Sequence, residues 1–125
     1  MVKPPYEATP LAVRKIEIIP QCRKPMKELP DDVRDIASFA LIMTAHGRKH
    51  SDVKPLKGFP GISVQEVAIH HDGNAYRVIF TIRFPEALYV LHVFQKKSHK
   101  GFETPRHEIE LVKKRLGRPA SWRLT

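Results

Sequence analysis

The tetrapeptide His71-Asp72-Gly73-Asn74 constrains this chain more than any other feature, because two strand-like runs meet at it. Asp-Gly is a strong signal for a two-residue hairpin, since both turn positions must accept a positive φ. The flanking runs, 63–70 and 75–84, then pair with Ile69 opposite Tyr76 and Val67 opposite Val78. Side chains alternate along a strand, so Tyr76, Val78, Phe80, Ile82 and Phe84 share one face. Arg77, Thr81 and Arg83 share the other, joined by Glu66 and His70 from the neighbouring strand. One face is a core and the other is cationic.

A third strand, 88–97, is apolar at nearly every position until it ends in Lys96 and Lys97. Such a strand is covered on both faces, at least in part. With Glu86-Ala87 as the turn, His92 faces Thr81 and Lys96 faces Arg77. A three-residue loop reverses that parity. Thr104-Pro105 opens a closing helix, with Thr104 as its cap, Glu108 near the capping-box position, and Ile109, Val112 and Leu116 as its apolar stripe. Upstream, 30–46 is the best helix. Pro30 suits its first position, Asp31, Asp32 and Asp35 suit its dipole, and Gly47 stops it. Val33, Ile36, Ala37, Ala40, Leu41 and Thr44 form its buried stripe. Phe39, Ile42 and Met43 lie off that stripe; core packing is the expectation for them, with contact to a second helical piece or a partner as the alternative. Residues 16–19 form a short strand, 21–29 a Pro-interrupted loop, and 48–61 a polar segment. The order predicts an α+β fold, a small antiparallel sheet with helices on one face and the polar face open.

One domain accounts for 125 residues. The core spans about 16–116, with 1–15 and 117–125 as tails. The lone Cys22 excludes an internal disulfide and suits a reducing cytosol. The longest apolar run, 36–43, is too short for the ~20 residues of a membrane span, and the Pro-rich start lacks a signal-peptide core. A cytoplasmic protein with no membrane partner is the expectation. The net charge is +9, and from Gln95 onward nine Lys/Arg face three Glu. That concentration of base favours a polyanionic partner.

Two stretches, Asp72-Gly73-Asn74-Ala75-Tyr76-Arg77-Val78 and Leu91-His92-Val93-Phe94-Gln95-Lys96-Lys97-Ser98, resemble the RelE/ParE/HigB superfamily of toxins, most closely its phage-derived, HigB-like branch. Val53-Lys54-Pro55-Leu56-Lys57-Gly58, Lys100-Gly101 and Thr104-Pro105 extend the likeness over about 30–116. The combined pattern FQKKSxKGxxTP is specific, whereas a Tyr-Arg-Val strand alone is weak. The resemblance implies a compact RelE-like fold and an endoribonuclease that cuts messenger RNA on the translating ribosome. It also implies a cognate helix-turn-helix antitoxin. A ParE-like gyrase inhibitor and a non-catalytic nucleic-acid-binding protein are the alternatives.

Metal-free RNA cleavage needs a base for the 2′-OH, cations for the phosphorane and an acid for the departing 5′-oxygen. No cofactor is required. Arg77 is the expected phosphate clamp, because its forked guanidinium holds two oxygens at once. Lys57 and Lys96 crowd charge around the scissile group, and His92 is the acid/base because imidazole titrates near neutrality. Lys54, Arg83, Lys97, Lys113 and Lys114 are candidate substrate contacts. Each has a structural counterpart. Arg77 can pair with Glu66, His92 can be a satisfied core histidine, and the lysines can be solvated charge. The histidines 46, 50, 70 and 71 lack the partners of a metal site.

Overall fold

A computed structural model describes residues 13–61, 63–96 and 103–117. Lys97 and the Lys100-Gly101 loop lie outside these residues, as do most of both tails. Among the described residues, five strands form one sheet, β1 (Lys15–Ile18), β2 (Val53–Pro55), β3 (Val64–His71), β4 (Asn74–Thr81) and β5 (Ala87–Lys96), and three helices accompany them, α1 (Pro20–Lys27), α2 (Asp31–Ala45) and α3 (Arg106–Leu116). The sheet order is β1-β5-β4-β3-β2. The fold is α+β.

The β3–β4 hairpin forms in the expected register, with Ile69 opposite Tyr76 and Val67 opposite Val78. Asp72 and Gly73 take φ of 50° and 77° to make the turn. A Cβ added at Gly73 meets nothing within 4 Å, so only its backbone conformation resists substitution. Gly73→Ala is therefore expected to cost about 1–2 kcal/mol, the strain of a left-handed L-residue, read as a lower urea midpoint.

The β4–β5 register departs from expectation. His92 faces Ile79, Phe94 faces Arg77 and Lys96 faces Ala75, and a bulge at Ile79/Phe80 then sets Phe80 opposite Val90. The pairing slides by two residues, which preserves parity, so His92 and Lys96 still share a face with Arg77. β1 adds a parallel edge against β5, with Ile16 beside Leu88 and Ile18 beside Val90. The sheet is thus mixed rather than wholly antiparallel. Flanked by β1 and β4, β5 buries every residue from Ala87 to Val93.

The segment 21–29, expected as a loop, contains α1. Pro20 sits at its first position, where no N–H is needed, and Pro25 is accommodated within it. Cys22, Met26 and Leu29 recur at helical spacing and are buried. That burial outweighs the proline. α1 and α2 lie over the apolar face: Pro25 of α1 and Leu29 of the link after it line one groove with Tyr76 and Val93, and Thr44 of α2 lines another with Val53 and Gln65. Val33, Ala37, Ala40, Leu41 and Thr44 of α2 are buried there as expected. Ile36, Phe39 and Ile42 are not, being 36%, 58% and 47% exposed. α3 packs on the opposite face, so the polar face is partly roofed rather than open.

Candidate functional site

Where α3 begins, it leaves a cavity of about 290 Å³ above β2, β3 and β4. Lys54, Lys57, Glu66, His70, Arg77 and Thr104 line it, with Leu56, Ala68 and Ile109 as its apolar wall. The alternation of three neighbouring strands brings them together. Lys54 stands opposite Glu66 across β2–β3, and Ala68 stands opposite Arg77 across β3–β4. Lys57 follows the strand end on a turn anchored by buried Leu56, whose N–H donates to the Val64 carbonyl at 3.0 Å. Gly58 completes that turn at φ 98°, and a Cβ there would lie 3.4 Å from Ile109 Cγ2. The glycine thus lets the Lys57 turn pass close under α3.

The cavity floor is an ion-paired network. Arg77 is 2% exposed, and its Nη1 donates to Glu66 Oε1 at 3.1 Å. Thr104 Oγ1 donates to Glu66 Oε2 at 2.5 Å. Thr104 was expected to cap α3, but the cap position falls on Pro105 and makes no side-chain bond. The hydroxyl is committed to the sheet instead, tying the start of α3 to β3. At the rim, Lys57 Nζ donates to Glu103 Oε1 at 3.0 Å, and both side chains are solvent-exposed. This hydrogen bond, then the Lys57 charge, holds the Glu103 carboxyl below its ordinary range, with Lys96 adding to the effect. Lys54 and His70 are exposed beside the opening.

The other candidates are distributed elsewhere. Lys96 is buried on the Arg77 face, opposite Ala75, and its charge reaches Glu103 although it does not line the cavity. Arg83 lies beyond the end of β4 and is exposed, because the strand stops at Thr81, whose Oγ1 accepts the Arg83 N–H. It does not join Arg77. Lys113 and Lys114 are on the outer surface of α3 beside Glu110, remote from the cavity lining.

His92 is sealed under α3. Its Nε2 lies 3.1 Å from Glu108 Oε1, and Arg115 Nη1 lies 3.2 Å from its Nδ1. Arginine can only donate, so Nδ1 accepts and Nε2–H donates to Glu108. Phe94 stacks on the ring at 4.7 Å. Burial lowers the His92 pKa below its ordinary 6.5, and Arg115 and His107 act the same way, against the opposing pull of Glu108. The sign of the linkage follows. Below pH 6.5 the unfolded imidazole takes a proton that folded His92 resists, so stability present above that pH is lost as pH falls. Urea unfolding from about pH 7 to about pH 5 is expected to show this loss, and His92→Gln to flatten it.

Glu66, His70 and Thr104 complete the cavity, though none was a sequence-level candidate. The signal was the shared parity of Glu66, His70 and Arg77. Among the described residues, no group of three or more His, Cys, Asp or Glu side chains is placed to hold a metal ion. No described helix is long and apolar enough to cross a membrane. No curated protein matches the chain. Residues 24–117 match the model of the phage-derived protein Gp49-like family (DUF891), and the chain belongs to that family.

Proposed function

We propose that this chain is the toxin of a toxin–antitoxin pair, a ribosome-dependent endoribonuclease that cuts messenger RNA in the cytoplasm. A helix-turn-helix antitoxin is its neutralising partner. The observation that carries the reading is the cavity that gathers Lys54, Lys57 and Arg77 beside His70. Membership of a phage-derived family and the FQKKSxKGxxTP resemblance support it.

In this reading Lys54 and Lys57 hold the scissile phosphate, with Lys57 exchanging its solvent-exposed Glu103 pair for it, whereas Arg77 is buried in its pair with Glu66. Arg77 supplies positive charge from below. His70 takes the acid/base role, since His92 is enclosed by Glu108, Arg115 and Phe94. His70 accepts the 2′-OH proton, and that oxygen bonds to phosphorus as the P–O5′ bond breaks. The 5′-oxygen leaves with a proton from the Lys57 ammonium. The products are a 2′,3′-cyclic phosphate and a 5′-hydroxyl, with no metal or redox partner required.

The test is a translating extract programmed with a defined message, with and without ribosomes. Cleavage is expected only with ribosomes. Lys54→Ala with Lys57→Ala is expected to abolish it, since loss of one preorganised donor in comparable sites costs about 10²–10³ in rate. Undiminished cutting by that double variant refutes the assignment. Salt-dependent RNA binding without cutting identifies a non-catalytic module instead.

A further inference from the structure

Helix α2 is apolar on two sides. The sheet covers one, whereas Ile36, Phe39 and Ile42 on the other are exposed. Their spacing of three places them on a single stripe with Asp32, Asp35, Met43 and His46. His50 packs edge-on against Phe39, with ring centroids 5.8 Å apart, and no other described side chain forms a ring contact with Phe39. A helix that packs on a core through one stripe normally turns a polar face to water. A contiguous exposed apolar stripe with a polar rim marks an interaction surface.

The charges along α2 specify the occupant. Asp32 and Asp35 flank the apolar centre at its N-terminal end, while His46, Arg48, Lys49 and His50 flank it at the other. An evenly acidic partner would meet Asp32 and Asp35, and an evenly basic one would meet Arg48 and Lys49. A second copy of α2 turned end for end about Phe39 avoids both. It lays Phe39 on Phe39, Ile36 on Ile42 and Asp32 on His46, with the acidic end near Arg48 and Lys49. The stripe is complementary to itself, which is the requirement of a two-fold interface. The antiparallel helix dipoles also oppose end to end.

We propose that α2 is the seat of an antiparallel homodimer centred on Phe39. Two crossed helices of this length bury less than the ~1,600 Å² of a standard interface, so the dimer dissociates on dilution. Sedimentation equilibrium of the full chain is expected to show mass rising from one chain to two with concentration. Phe39→Glu, and separately Ile42→Lys, are expected to hold it at one chain with unchanged circular dichroism, because both side chains are exposed. Asp32→Lys is expected to weaken association about tenfold, and Asp32→Lys with His46→Glu to restore it. The proposal is overturned by a wild-type chain that remains single at every concentration. It is equally overturned if both apolar variants associate like wild type, or if the charge swap stays as weak as the single change. A single chain that uses Phe39 to bind a different protein also overturns it.

Discussion

Glu66→Ala is expected to lower the free energy of unfolding by about 3–5 kcal/mol, the cost of stripping one partner from a buried ion pair. Arg77 is 2% exposed, so its guanidinium cannot recover that loss by reaching water. Glu66 also accepts from Thr104, so the change detaches the start of α3 from the sheet as well. The informative control is Glu66→Leu with Arg77→Met. Replacing both members of a buried pair with apolar side chains is often nearly neutral. The double variant is therefore expected to recover most of the stability in urea titration. A single-variant loss under about 1 kcal/mol, the range of exposed pairs, would show that Glu66 and Arg77 behave as surface charges.

On the proposed endoribonuclease reading, His70→Ala is expected to slow messenger cleavage by about 10²–10⁴-fold, the usual contribution of a positioned acid or base. Its side chain is exposed at the cavity rim, so the urea midpoint is expected to stay close to wild type. His92→Ala is expected to do the opposite. It empties a site between Phe94, Glu108 and Arg115, with a cost of about 1–3 kcal/mol for the buried polar groups left behind, while cleavage per folded molecule changes little. Measuring rate and stability on both variants separates the chemistry of the cavity from the packing of α3. If His92→Ala loses cleavage while folded and His70→Ala does not, the acid/base assignment is reversed.

The hairpin was legible because Asp72-Gly73 fixes the turn, and turn geometry with alternation fixes the register. The partition of Arg77, Glu66 and His70 onto one face followed from parity alone. What escaped the sequence depended on contacts distant along the chain. From Ala75 to Ile79 the β5 pairing sits two residues from the expected register, and the bulge at Ile79/Phe80 changes it by one more toward Thr81, shifts that no local signal announces. α1 was hidden by Pro25, although Cys22, Met26 and Leu29 carried the helical spacing. Lone residue types left two positions unsettled. Thr104 looked like a helix cap, and His92 was open to both a catalytic and a core reading, because neither sequence position reveals that α3 folds back onto the sheet. Membership of a phage-derived family was visible in the hairpin and in the Lys-rich end of β5.

The parallel edge formed by β1 bears on the order of assembly. Ile18 pairs with Val90, so more than half the chain is made between the two strands of that pair. During synthesis the β3–β4 hairpin can close locally, but β1 has no strand to join until β5 emerges. Contacts of such separation form late and slow the approach to the native state. The cavity waits longer still, because Thr104 and Ile109 follow β5 in the chain. A nascent molecule therefore carries its lysines and its hairpin well before it has a finished pocket.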